Sequence, residues 1–152
     1  MFTFKPIGFV QSPLKETSQI PRGLGAKHET EGVLEILREY EPGLMDIEGF
    51  SHLYVLWAFD RSQDFDLISC PPTDEKQPHG VFATRSPRRP NPIALTVVEL
   101  LDRNGASLRV RGVDMLDGTP ILDIKPYLSS VPAEKLKRGW LAEAEARKKA
   151  GA

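Results

Sequence analysis

Hydrophobic residues fall along this chain in short alternating runs, separated by long polar stretches rich in Pro and Gly. Alternation with period two places one set of side chains on each face of a strand. TFKPIGFV near the start predicts a first strand, with Pro6 marking an edge or a bulge because proline donates no ladder hydrogen bond. GVLEIL, residues 32–37, predicts a second. SHLYVLWAFD, residues 51–60, carries no acid or base other than His52 before Asp60 and reads as a strand buried on both faces. A short helix is expected around Leu44 to Ile47, and HGVFATR predicts a strand that runs into a stretch of Arg and Pro. In PIALTVVELLDRNGASLRVRGVDML two β-rich runs flank Asn104-Gly105, a pair suited to positive φ at both centres of a type I′ turn, so a hairpin is predicted. A DGTP turn then leads into a strand from Ile121 to Ile124. Only the end changes character: from Pro132 the chain turns to Ala, Glu, Lys, Leu and Arg, which predicts a helix over about 132–150 with Gly139 inside it. Six or more strands and one helix predict a mainly β fold, a closed or nearly closed antiparallel β-barrel with long loops and a C-terminal helix, in one domain over residues 1–152.

Composition narrows the function classes. A chain of 152 residues can bury a core without disulfides or metal. The formal net charge of −1 offers no global attraction to polyanions, so any nucleic-acid contact has to come from a local patch. Cys70 is the only cysteine, which excludes a disulfide framework and fits a cytoplasmic setting. No apolar stretch reaches the length of a membrane span, and MFTFKPIGFVQSP lacks the features of a secretion signal. His28, His52, His79 and Cys70 show no ligand spacing, so no metal site is expected. The glycine-rich nucleotide loops and the serine elbow of hydrolases are also missing.

Two clusters carry chemistry. FATRSPRRPNPIAL, residues 82–95, combines Arg85, Arg88 and Arg89 with Pro87, Pro90 and Pro92. Proline stiffens the loop, and the guanidinium fork suits carboxylates and phosphates, so a pre-ordered cationic loop for an anionic ligand is one reading. A solvated surface turn is the other. In DGTPILDIKPY, residues 117–127, Asp123, Lys125 and Tyr127 lie at period two and share a face with Ile121, opposite Leu122 and Ile124. That face is either solvated or part of a site.

GVFATRSPRRPNPIAL and DMLDGTPILDIKPYL together resemble the TrmO-type family of tRNA methyltransferases, and IGFVQSP, the PRG loop and FSHLYVLWAFD fit the same pattern in the same order, over roughly residues 5–128. Ala94 and Thr96 stand where members often carry Gly and Ser. The resemblance implies a β-barrel homodimer that uses S-adenosyl-L-methionine to methylate the exocyclic nitrogen of threonylcarbamoyl-adenosine beside the anticodon of a tRNA. It implies cofactor contacts from Pro21, Arg22, Gly23, Asp60, Arg61, Arg85, Leu95, Asp117, Gly118 and Thr119. Arg22, Arg61 or Arg85 would meet the cofactor's carboxylate, Asp60 or Asp117 its ammonium, and Leu95 its adenine, leaving Arg88 and Arg89 for RNA phosphates. Asp123 or Tyr127 would serve as a general base, with Lys125 offsetting charge. The competing expectation is a non-catalytic barrel that binds RNA or a small metabolite.

Overall fold

A computed structural model of the chain describes residues 1–20, 27–61 and 64–151. The strands are β1 (Gly8–Gln11), β2 (Glu31–Ile36), β3 (His52–Ala58), β4 (Ile68–Ser69), β5 (His79–Gly80), β6 (Ile93–Asn104), β7 (Ser107–Arg111) and β8 (Pro120–Pro126), followed by one α-helix, α1 (Trp140–Ala150). Six of them close into a barrel in the order β1, β2, β7, β6, β3, β8, and every pairing is antiparallel. Closure is the physical answer to a chain made of short strands, because it leaves no ladder edge unpaired. Inward residues of alternate positions, among them Val10, Leu34, Leu53, Val55, Val98, Leu108, Val110 and Ile121, form the core, and Val113 and Met115 plug it from the segment after β7.

Several sequence expectations change in detail. Pro6 marks neither an edge nor a bulge: it lies just before β1, which pairs with β2 on one side and β8 on the other. The segment expected as a helix near Leu44 instead forms two 3₁₀ turns, Arg38–Leu44 and Ile47–Gly49, divided by Asp46 at φ +71°. HGVFATR is not one strand; β5 is two residues long and Val81–Ala83 is a 3₁₀ turn, because the Thr84 hydroxyl and amide both bond back to the Val81 carbonyl. The β6–β7 hairpin is present, but its two-residue loop is Gly105-Ala106, with Gly105 at φ +62° and Asn104 still paired to Ser107. Positive φ only at the first loop position is the pattern of a type II′ turn rather than type I′.

β3 is not buried on both faces. Leu53, Val55 and Trp57 are in the core, whereas Tyr54, Leu56 and Ala58 are half-buried on the outside of the barrel. β8 carries a bulge: Leu56 pairs with Asp123 but Trp57 pairs with Ile121, so Leu122 is an extra residue. The bulge shifts the alternation by one. Ile121 is therefore fully buried and Ile124 packs against the core, so Ile121 does not share the face of Asp123.

The C-terminal helix starts later than the composition predicts. Residues 133–135 make a single 3₁₀ turn, and α1 begins only at Trp140, after Gly139 at φ +54° has broken the path of the chain. Helix α1 is fastened to the loop between β4 and β5. Trp140 stacks on His79 with ring centroids 4.1 Å apart, and its indole N–H donates to the Ala83 carbonyl at 2.8 Å. The buried Asp74 carboxylate accepts from His79 Nε2 and from Arg147 Nη2, each at 3.0 Å.

The hydrogen bond from His79, helped by Arg147, holds the Asp74 carboxyl below its ordinary range. A depressed folded-state pKa contributes stability that is present above the unfolded value of about 3.9 and lost as pH falls through the folded one. Asp74→Asn is therefore expected to speed amide exchange in α1 at neutral pH, with the gap to wild type closing as the solution is acidified below the carboxylate range. Hydrogen exchange across a pH series measures it.

Candidate functional site

A cavity of about 1400 Å³ opens on the outer surface of the barrel. Its floor is the outward face of β3 and β6, where Leu56, Ala58, Ile93, Leu95 and Val97 lie side by side through the register Leu56↔Leu95 and Ala58↔Ile93. This is why the β3 sequence reads as apolar on both faces. Ile93, Leu95 and Val97 are each 38% exposed, far more than an apolar strand position needs to be unless something covers it. The volume exceeds the roughly 300–1,000 Å³ of an ordinary small-molecule pocket, which leaves room for two groups.

The Arg/Pro loop, residues 84–92, forms one rim. Its conformation is fixed by bonds within itself: the Ser86 amide donates to Thr84 Oγ1, the Arg88 amide to Ser86 Oγ, and Arg89 Nη1 to the carbonyls of Thr84 and Ser86 at 3.0 and 3.2 Å. Arg89 is thus a brace for the loop. Arg88 lines the cavity but pairs with Asp66 at 2.7 Å, and this partner holds the Asp66 carboxyl below its usual range. Arg85 differs from both. It lines the cavity, is exposed, and makes no hydrogen bond or ion pair with any described residue.

The other sequence-selected residues divide in the same way. Asp60 and Arg61 both line the cavity at the end of β3. The Asp60 carboxylate accepts no hydrogen bond from a described residue, whereas Arg61 Nη2 donates to the Asp117 carbonyl at 3.0 Å. Asp117 is occupied: Oδ2 pairs with Lys15 Nζ at 2.7 Å and Oδ1 accepts from the Ser12 amide, which together keep its carboxyl below the usual range. Gly118, at φ +83°, donates its amide to Val10, and Thr119, which does line the cavity, donates its hydroxyl to the Leu116 carbonyl. Neither Asp117 nor Gly118 is a lining residue; their bonds to β1 and to Leu14 hold the turn in place. Pro21, Arg22 and Gly23 lie outside the described residues.

Asp123, Lys125 and Tyr127 are also absent from the cavity lining. Asp123 pairs with Lys125 at 3.1 Å and accepts from the Ile124 amide, and Tyr127 packs its ring 5.1 Å from that of Tyr54. Among the described residues no three His, Cys, Asp or Glu side chains gather as a metal-ligand set, and no helix is long and apolar enough to cross a membrane.

The most buried acid lining the cavity is one that sequence reasoning passed over. Asp114 follows Gly112, whose φ of +106° turns the chain out of β7 so that Val113 and Met115 enter the core on either side of it. Asp114 Oδ1 accepts from Thr96 Oγ1 at 2.6 Å, and Thr96 Oγ1 in turn accepts from Trp57 Nε1 at 3.0 Å. His28 Nε2 stands 3.9 Å from Asp114 Oδ2, and His28 Nδ1 is buried with no hydrogen-bond partner among the described residues. Burial pushes the Asp114 carboxyl up, against the pull of Thr96, His28 and Arg85. The available signal was Asp114's place at the head of DMLDGTP, the motif already singled out for its later residues.

If Arg89 braces the loop, Arg89→Ala should cost about 1.5 kcal/mol of unfolding free energy, the lower end for bonds to a charged donor since the group is only half-buried. The amides of residues 84–89 should exchange faster with β6 unaffected. Urea unfolding and hydrogen exchange check the two parts separately.

Three comparisons bear on this cavity. The model of the tRNA-methyltransferase O N-terminal domain family matches residues 9–133, which include every strand but the first residue of β1. A protein of Pyrococcus abyssi named "Probable S-adenosyl-L-methionine-binding protein" is 46% identical over 93% of this chain and 77% of its own length. An Escherichia coli protein named "tRNA (adenine(37)-N6)-methyltransferase" is 33% identical over 95% of this chain and 71% of its own. A solved structure, "Crystal structure of TrmO", superposes with a TM-score of 0.74 at 33% identity, covering 90% of this chain, and the chain spans 63% of that solved one. Barrel, motif order and long sequence match agree, and the chain belongs to the tRNA-methyltransferase O N-terminal domain family.

Proposed function

We propose that this protein binds S-adenosyl-L-methionine in the outer cavity and methylates the exocyclic nitrogen of adenosine 37 in tRNA, with the threonylcarbamoyl-adenosine form as its substrate. One observation carries the cofactor assignment: Arg85 and Asp60, one cation and one anion, both border an apolar floor and neither has a described side-chain partner. The cofactor has a carboxylate, an ammonium and an adenine, and those groups call for that set of surroundings. Arg85 would take the carboxylate, Asp60 the ammonium, and Leu95 would pack against the adenine. Arg61 and Asp117 contribute by bracing each other, with Gly118 and Thr119 completing the turn behind them. Pro21, Arg22 and Gly23 join this set through the family pattern. The names of the Pyrococcus and Escherichia relatives support both the cofactor and the tRNA position.

When bound, the cofactor supplies a methyl group already activated by a sulfonium. The chain's task is then to align the acceptor nitrogen and exclude water, and the stiff 84–92 loop over an apolar floor does both at little entropic cost. Arg88 is the RNA contact of the loop, exchanging Asp66 for a phosphate, while Arg89 keeps the loop in shape. Asp123, Lys125 and Tyr127 lie beyond this cavity and could meet RNA or a second subunit there, with Lys125 available to a phosphate once it leaves Asp123. A homodimer would cover Ile93, Leu95 and Val97 and close the cavity's open side.

In the decisive experiment, purified protein is given labelled S-adenosyl-L-methionine and tRNA with or without the threonylcarbamoyl group. Methyl transfer at position 37 that requires the modification is expected; cofactor binding without transfer to either tRNA would favour the non-catalytic barrel. At a hundred times its dissociation constant the cofactor should raise unfolding free energy by about 2.7 kcal/mol. Arg85→Ala should weaken its binding by about 1.5–3 kcal/mol, measured by calorimetry without RNA. Arg88→Ala should leave cofactor affinity unchanged and lower tRNA affinity in filter binding.

A further inference from the structure

The cavity lining also holds an ionisable pair, Asp114 and His28, to which the cofactor assignment gives no role. Asp114 bonds to Thr96, whose buried side chain alternates along β6 with the outward Leu95 and Val97, so the pair lies on the inner side of that strand, and it lines the same cavity as Arg85 and Asp60. We propose that Asp114 accepts the proton lost from the acceptor nitrogen during methyl transfer, with His28 as the residue that positions and balances its carboxylate. The inference rests on the reading of the cavity as a methyltransferase site and goes beyond it by assigning the base.

The geometry separates the two carboxylate oxygens. Oδ1 is committed to Thr96, whose hydroxyl is itself fixed by the Trp57 indole, so the carboxylate is held in one orientation by a buried chain of two bonds. Oδ2 has no side-chain donor within hydrogen-bonding distance among the described residues, since His28 Nε2 lies 3.9 Å away. One oxygen is anchored and the other is left to receive. The rim carboxylate of Asp60 is exposed, whereas that of Asp114 is largely buried, and burial raises its proton affinity. The titratable groups that act on Asp114 are His28 and Arg85, and both favour its ionised form. Holding a carboxylate in a partly dry site against its solvation is a feature of sites tuned for proton transfer.

The acceptor nitrogen is conjugated to a purine and a carbonyl, so its lone pair is delocalised and removing its proton assists attack. Atoms and electrons balance: the nitrogen forms the new N–C bond, the pair of the broken C–S bond stays on sulfur, the N–H pair returns to nitrogen, and Asp114 Oδ2 takes the proton.

Asp114→Asn tests this. Asparagine's oxygen can still accept from Thr96, so circular dichroism and cofactor affinity by calorimetry should match wild type. Stability at neutral pH should equal or exceed wild type, because the raised carboxyl pKa means ionisation works against folding there, and the gap should close in acid. Single-turnover methyl transfer should fall by about 10²–10⁴-fold, and the acid limb of the wild-type pH profile should vanish. His28→Gln should lower the rate less and move that limb to higher pH, since the imidazole that favours the ionised carboxylate is gone. Independently of turnover, the carboxyl carbon of Asp114 in the free protein should titrate above the ordinary value of about 3.9 and higher still in His28→Gln. A variant Asp114→Asn that keeps rate and limb overturns the proposal, as does one that loses cofactor binding, which would make Asp114 a cofactor ligand. A midpoint at the ordinary value overturns it too. Failure of the wild type to bind the cofactor or transfer methyl would instead refute the methyltransferase reading.

Discussion

The pairing of β3 with β6 on one side and β8 on the other is the constraint on which this structure depends. It closes the barrel, so β3 has no free edge, and only its two faces can do further work. The inner face delivers Leu53, Val55 and Trp57 to the core. The outer face, continuous with that of β6, becomes an apolar platform. Trp57 belongs to both worlds: its ring fills the core against Phe59 while its N–H reaches Thr96 and, through it, Asp114. A strand that packs the barrel therefore also fixes the orientation of the most buried acid in the cavity.

Around that platform the arginines are not equivalent, although they sit within a few residues of one another. A loop with three prolines cannot use regular ladders to satisfy its backbone, so side chains supply the missing bonds. Thr84, Ser86 and Arg89 do this from within the loop, and Asp66 restrains Arg88 from outside. The stiffness that proline begins is completed by hydrogen bonds, and it leaves Arg85 uncommitted.

The barrel was legible in the sequence because strands announce themselves by alternation and turns by Gly, Asn and Pro. What escaped were features set by contacts distant along the chain. The one-residue bulge at Leu122 inverts the parity read from DGTPILDIKPY, and only the partner strand reveals it. The apolar outer face of β3 looked like a second buried face because period-two patterns cannot tell a core from a platform awaiting a ligand. The helix start was placed at Pro132 by composition, but Gly139 at positive φ decides it. Arg85 and Asp60 were named from the family pattern; that they are the ones without partners is visible only once Lys15, Asp66 and the Thr84 carbonyl have claimed the others. Asp114 was missed because a single acid ahead of a turn has no signature until Thr96 and His28 gather around it.

The bond from Trp140 to the Ala83 carbonyl crosses a boundary of another kind. The family match ends at residue 133, ahead of α1. Yet the indole of α1 grips the chain just ahead of Thr84 and Arg85, and Arg147 pairs with Asp74 in the connection between β4 and β5. A change in α1 that loosened these contacts would alter the mobility of the cationic loop without touching a barrel residue. The segment after the barrel is thus a place where selection can retune the site while its chemistry stays fixed.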